Sequence, residues 1–417
     1  MSGLSAGARP SLLAPFGNRS FRFMWPADLL TSWAFEMETL ILGWYVLVET
    51  KSVLMLTVFG ALQFTGTLLA PLFGVAGDRI GLRNLLCLMR GFYAVQASFL
   101  TLFAVFGVLS PIHVFAVAFC MGLVRPSDLA VRNTLVGSLM PADQLMAAMG
   151  ISRTTQDSAR IAGALVGAAL FALVGMASAY MIVVLFYLAS LTLSLRIARP
   201  APNLTMAAVA SPLRDVQEGL AYVWTTPRLL AAMVLAFLVN FCAFPLSGGL
   251  LPYVARDIYG MDQSGLGFLA AGFAFGGLLG SITLSTAGRM IPAGRIMICF
   301  AFVWYSALLL YAHTSHPVLG IGLLMLAGFT QSLCMVPMAV MLLRSSGDRF
   351  RGRVMGVRML AVYGMPVGLL LAGVLIRQFG FVATATGYCV FGLVASFAIA
   401  WYWWAHLWPL EAQANRG

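Results

Sequence analysis

Apolar residues run in long blocks along this chain, and short charged or proline-bearing breaks separate them. About twenty apolar residues in a helix are enough to cross the hydrocarbon core of a bilayer. Six such blocks precede residue 196: 23–48, 53–74, 84–109, 112–131, 144–174 and 177–195. Six more follow residue 228: 229–255, 264–287, 295–313, 318–343, 354–376 and 382–404. The longest break, 196–228, holds Pro200, Pro202, Pro212, Asp215 and Glu218. The pattern predicts an all-α membrane protein of twelve transmembrane helices in two pseudo-symmetric six-helix bundles. The expected organisation is an N-terminal tail (1–22), a first bundle (23–195), a linker (196–228), a second bundle (229–404) and a C-terminal tail (405–417).

The breaks set the expected orientation. The N-terminal tail holds Arg9, Arg19 and Arg22, and the even-numbered connections hold eleven arginines, Arg79 and Arg83 among them. The odd-numbered connections hold only Lys51, Arg256 and Arg377. Basic residues accumulate on the cytoplasmic side, so both termini are expected there. Residues 1–22 lack a short apolar core before a cleavage site, which favours a cytoplasmic tail over a cleaved signal peptide. Short loops and a lone lysine point to a prokaryotic inner membrane.

Composition fits this reading. Of 417 residues, 61% are hydrophobic and 9% charged, and the mean hydropathy is +0.91. A soluble protein would carry about a quarter charged residues. The net charge of +11 would suit nucleic acid or anionic lipid. The arginines sit in short loops rather than on one basic face, which selects membrane lipid and excludes nucleic acid. The six cysteines are scattered through apolar blocks without a CxxC pair, and no acid stands at ligand spacing from His113, His313 or His316. Small buried thiols and surface histidines are expected, with no metal and no cofactor.

Ionisable residues inside a bilayer need a partner or water. They crowd the first half. Asp28, Glu36 and Glu38 lie in the first block, Arg125, Asp128 and Arg132 in the fourth, and Arg153, Asp157 and Arg160 in the fifth. Glu36 and Glu38 stand roughly 200° apart on a helix and cannot share one cavity. Glu36, Asp28 and Glu38, in that order, are candidate proton carriers; the competing expectation is that they pair with arginines and never titrate. In blocks four and five each aspartate is flanked by two arginines at helical spacing. This predicts two mirrored triads forming a cytoplasmic gate, with Arg125 and Arg160 nearest the midplane as alternative substrate contacts. Candidate cavity residues are Trp33, Arg125, Arg160, Asn240, Phe241, Phe244, Gln331 and Tyr363. Gly272, Gly276 and Gly280, and Gly163 and Gly167, mark smooth helix faces for packing or sliding.

Two weak internal matches suggest duplication: Pro126 and Arg132 with Pro337 and Arg344, and Met149-Gly150-Ile151-Ser152-Arg153 with Met355-Gly356-Val357-Arg358. Such repeats fit two bundles rocking about a midplane site.

The break between blocks two and three reads Gly74-Val75-Ala76-Gly77-Asp78-Arg79-Ile80-Gly81-Leu82-Arg83. It resembles the signature loop of the major facilitator superfamily in Gly74, Asp78, Arg79, Gly81 and Arg83, and departs at Leu82. Three further stretches resemble the drug:proton antiporter-3 exporters, which include macrolide efflux and enterobactin export proteins. They are Arg132-Asn133-Thr134-Leu135-Val136 with Leu139-Met140-Pro141, then Asn240 with Phe244-Pro245 and Leu251-Pro252-Tyr253, then Arg351-Gly352-Arg353-Val354-Met355. The resemblance implies that Gly74, Asp78, Arg79, Gly81 and Arg83 form a gate. Asp78 would cap the eleventh helix, and Arg79 would bond Asp128 in the outward-open state. Two departures stand out: Gly163-Ala164-Leu165-Val166-Gly167-Ala168 lacks the proline of the antiporter motif, and residues 288–295 carry no acid equivalent to Asp78.

The expected function is secondary active export of small amphiphilic or hydrophobic compounds, driven by inward proton flow, by a monomer. Alternatives are a siderophore or lysophospholipid carrier, a facilitator without coupling, a polytopic membrane enzyme, or a sensor that moves nothing. Against an enzyme, no nucleophile–base spacing is present and the loops are too short for a domain.

Overall fold

The computed structural model describes residues 14–198, 212–286, 293–347 and 350–408, and the described residues contain helices and no strand. Most of both expected tails, the linker residues 199–211 and the side chain of Asp78 lie outside the described residues.

The first half opens with α1 (Arg19–Thr50). Its N-cap Asn18 accepts from the backbone N–H of Ser20, and Lys51 closes it in the left-handed region at φ 49°. Then follow α2 (Val53–Leu62), α3 (Ala70–Ile80), α4 (Leu82–Val105), α5 (Pro111–Leu139) and α6 (Ala142–Leu195). After α7 (Pro212–Thr225) the second half runs α8 (Pro227–Phe244), α9 (Leu251–Tyr253), α10 (Gln263–Thr286), α11 (Ala293–His313), α12 (Pro317–Ser345), α13 (Arg351–Ala361), α14 (Gly364–Phe379), α15 (Phe381–Tyr402) and the short α16 (Trp404–Leu407).

Among the described residues nine helices are long and apolar enough to cross a membrane. The difference from twelve has physical sources. The acids of α1 lower its hydropathy. Block two is broken into α2, a 3-10 turn (Thr65–Leu69) and α3. There Gly66 and Gly122 bring the backbones of the second block and α5 into contact, leaving no room for a Cβ at either. Finally, α6 counts once although Gly175 (φ 75°, ψ 176°) interrupts it. Its first arm runs alongside α1 in the same direction, with Trp25 on Thr155 and Met37 on Gly167. Its second arm runs back, with Glu38 on Tyr180 and Thr31 on Ser190. Gly175 is therefore the hairpin between blocks five and six.

The charged loop is shorter than expected. Residues 74–80 remain helical, and the reversal falls on Gly81 alone, at φ +87°. Only glycine takes that conformation without strain. Gly77 is not a turn residue: it is helical, and Leu82 packs against it.

The glycine stripes lie within bundles, not between them. Gly276 and Gly280 meet the backbone of α12, and Gly163 and Gly167 meet α1. Each of these glycines packs closely within its own bundle. Contacts between halves use other residues. Near Lys51, Gly43 faces Pro252, and Arg256 Nη1 donates to Leu47 O at 3.0 Å. Gly373 lies against Leu54 and Thr57, Gly60 against Leu369, and Gly267 against Ala164 and Ala168. The series ends where Tyr363 OH donates to Thr65 O at 3.3 Å.

The two cores differ in chemistry. Every buried Asp, Glu or Arg among the described residues precedes Gly175: Asp28, Glu38, Arg90, Asp128 and Arg132. The second half packs aromatic and aliphatic side chains instead, around the fully buried Trp304, Tyr305 and Tyr311.

Candidate functional site: a charged cleft between two bundles

The face of α1 that carries Phe35, Glu36 and Thr39 organises the site. Glu36 approaches Arg160 of α6, with Nε to Oε1 3.9 Å, and their side chains are 33% and 53% exposed. Thr39 lies one turn further on the same side of the helix. Its hydroxyl oxygen accepts from Arg125 Nη1 at 2.8 Å, and the same nitrogen donates to Gln63 Oε1 at 3.0 Å. The Arg125 guanidinium lies 4.5 Å from the centroid of the Phe35 ring. Gln63 is the C-cap of α2, two residues before Thr65, on which Tyr363 of the second bundle docks. Arg125 therefore sits close to the level where the bundles meet.

Toward the start of α1 the charges become accessible. Arg153 pairs with Asp157 at 3.3 Å, and its side chain is 60% exposed. Charges at membrane depth require water, and Glu36, Arg153 and Arg160 keep exposed surface on this side of the molecule.

The two mirrored triads do not form. Asp128 pairs with Arg132 and Asp157 with Arg153, but Arg125 and Arg160 turn away to α1. An i,i+4 arginine engages each aspartate, and α1 offers acceptors to the remaining arginines. The implied Arg79–Asp128 bond is also missing: Arg79 is exposed, while Asp128 is 1% exposed and bonded to Arg132. Arg83 donates instead to the Leu195 carbonyl at the end of α6 and to Asn84 Oδ1.

Of Asp28, Glu36 and Glu38, Glu36 alone keeps substantial exposure. Glu38 points to the opposite side, where Tyr180 and Tyr187 donate to its two oxygens at 3.1 and 2.8 Å. Asp28 is held by Arg90, and Arg132 Nε lies 3.9 Å away. Arg90 is the residue that sequence reasoning missed. It is fully buried in α4, donating to Asp28 and to Ser194. A single arginine within an apolar block was the available signal. Asp28, Arg90, Asp128 and Arg132 form a buried neutral quartet joining α1, α4 and α5, and Arg132 also donates to Ser32 at 3.1 Å.

The other cavity candidates scatter. Trp33 packs on Phe186 of α6. Phe244 meets Trp304 edge-on inside the second bundle. Asn240 is buried and donates to the Ala236 carbonyl of its own helix at 2.8 Å. Gln331 leans toward Gly277 of α10. Phe241 stacks between Phe237 and Tyr388 and borders an outward groove of about 460 Å³ with Leu371 and Phe391. Among the described residues no cluster of three or more metal-ligating side chains occurs.

The Major Facilitator Superfamily family model matches residues 12–363 and 248–415. Macrolide efflux protein A of Streptococcus pyogenes is 23% identical over 275 residues, 64% of this chain and 68% of its own. The multidrug efflux pump Tap of Mycolicibacterium fortuitum is 26% identical over 190 residues, 44% of this chain and 46% of its own. Among solved structures, the nucleoside transporter NupG matches at TM-score 0.74 and 14% identity, over 91% of this chain and 100% of that one. A bacterial homologue of the lysosomal transporter Spinster, inward-facing and unoccupied, matches at TM-score 0.69 and 13% identity, over 93% and 96%. At such identities the structural likeness is one of fold.

Proposed function

Since the chain belongs to the major facilitator superfamily and is a multi-pass membrane transporter rather than an enzyme, we propose that it exports small amphiphilic or hydrophobic compounds by alternating access, driven by inward proton flow. One observation carries this reading: the bundles are joined near Lys51 and present accessible charge toward the start of α1. With both termini cytoplasmic, as the arginine distribution favours, this is an inward-open form of an inner-membrane protein. Substrate enters the cleft from the cytoplasm or inner leaflet, the bundles rock about its midplane, and the contacts around Gly373 and Gly267 release.

Glu36 is the proton carrier this geometry favours. It is accessible and its arginine partner is loose, so protonation leaves no buried charge stranded. Asp28 and Glu38 have structural partners and hold the first bundle together. Relatives named for macrolide and multidrug efflux support an export direction.

A second reading, an uncoupled facilitator, is favoured by Ala164, which stands where the antiport motif has proline and packs against Gly267 of α10. The test is reconstitution in liposomes with an internal pH dye and a fluorescent amphiphile. Coupled export predicts that amphiphile transport moves protons in the opposite direction. Transport with a silent pH dye establishes the facilitator. No transport of any amphiphile rejects both.

A further inference from the structure

Arg125 differs from the other arginines of the first bundle's interior. Arg90 has Asp28, Arg132 has Asp128, Arg153 has Asp157 and Arg160 has Glu36. Among the described residues Arg125 has no carboxylate within ion-pair distance, and both groups it donates to, Thr39 and Gln63, are neutral. The nearest acid in sequence to Thr39, Glu38, attracts Arg125 only from beyond ion-pair distance, and Tyr180 and Tyr187 occupy both of its oxygens. Half-buried, a guanidinium with no carboxylate in contact is costly to retain at membrane depth.

The surroundings hold the group in place rather than neutralise it. Phe35 supports its face, while Thr39 and Gln63 fix one nitrogen. The other edge keeps donors for a planar or tetrahedral anion, for which a guanidinium is the best-matched side chain. The local balance has the same sign. Arg125, Arg153, Arg160 and Arg358 outnumber the three carboxylates that act on them, Glu36, Asp157 and, at longer range, Glu38, and Arg358 of α13 feels the like charge of Arg153 from the opposite bundle. No buried charge from the second bundle answers them among the described residues.

We propose that Arg125 anchors an anionic head group, so that the transported amphiphile ends in a carboxylate, sulfonate or phosphate while its apolar body lies against the second bundle. This specifies the substrate class of the exporter reading and rests on it. Tyr363, docked on Thr65 beside Gln63, places a phenol from the opposite bundle near the same head group. Loading the anion adds counter-charge to the arginine cluster, and this favours closure around it.

The probes are 11-(dansylamino)undecanoate and its neutral alcohol and trimethylammonium counterparts, with full-length protein in phosphatidylcholine liposomes. Binding is read from dansyl fluorescence, and transport from its redistribution across the membrane. Wild type is expected to prefer the carboxylate over the alcohol at least about tenfold, the size of a charge-assisted hydrogen bond. Arg125→Gln should erase that ratio, and Arg125→Lys should keep part of it. If Arg125→Gln does not fold, the wild-type ratio and Arg125→Lys decide. Competition by dodecanoate indicates a free amphiphile as the natural source, and competition by lysophosphatidylglycerol a lipid. Equal affinities for the three probes, no binding of the carboxylate, or a preference that survives Arg125→Gln overturns the anionic assignment. Binding with the preference intact but no redistribution of any probe overturns the exporter reading instead.

Discussion

The guanidinium of Arg90 donates to Asp28 across the α1–α4 contact, and Arg90 has no exposed surface. The bond joins the first and third apolar blocks and extends through Arg132 to Asp128. Removing one partner of a buried pair leaves the other charge stranded. Arg90→Met should therefore cost about 3–5 kcal/mol of stability, seen as a large fall in thermal midpoint in detergent. The double change Asp28→Leu with Arg90→Met should recover most of the loss. A double variant no better than the single one would show that the quartet does not act as a charge-balanced unit.

The acids of α1 should separate in function. Glu36→Gln is expected to abolish proton movement in reconstituted vesicles while the thermal midpoint stays within a few degrees. Glu38→Gln weakens hydrogen bonds from two buried tyrosines, each worth about 1 kcal/mol or more to a charged acceptor. It should lower the midpoint and leave coupling intact. Coupling lost in Glu38→Gln and retained in Glu36→Gln would reverse the assignment.

Much of this architecture was legible in the chain. The apolar blocks located the bundles, the gap at residues 174–177 located the Gly175 hairpin, and the angular offset of Glu36 and Glu38 anticipated their opposite directions. Long-range pairing was not legible. The break after α2 lies where Gly66 meets the Leu123 backbone and Gly122 meets the Leu62 carbonyl, contacts between residues more than fifty positions apart. Periodicity within one block carries no sign of that. Arg90 was hidden because hydropathy averages absorb a single charge. The mirrored triads failed because side chains choose between neighbours on their own helix and acceptors on another, and sequence spacing reports only the first.

Glycines between the halves and within them should answer differently to bulk. Gly373→Leu places a side chain into Leu54 and Thr57, wedging the bundles where they are joined. It should shift spin-label distances toward opening at the Lys51 end. Gly276→Leu, against α12, should lower stability without that shift. Identical distance distributions in Gly373→Leu and wild type would mean that this contact does not hold the closed end.

Gly81→Ala tests the turn alone. A Cβ there meets no neighbouring atom, but φ +87° is unfavourable for alanine. The expected cost is about 1–2 kcal/mol, visible as a modest fall in midpoint. An unchanged or higher midpoint would mean that the turn relaxes to a conformation alanine accepts.

That one-residue joint has a mechanical consequence. Nothing between α3 and α4 can stretch, so the end of α3 and the start of α4 must move together. Arg83, two residues beyond the joint, is fastened to the end of α6 at Leu195. Three helix ends are thus tied together on this side of the first bundle, where Arg79 is exposed. A displacement of that short joint would be felt at the start of α4 and the end of α6 together.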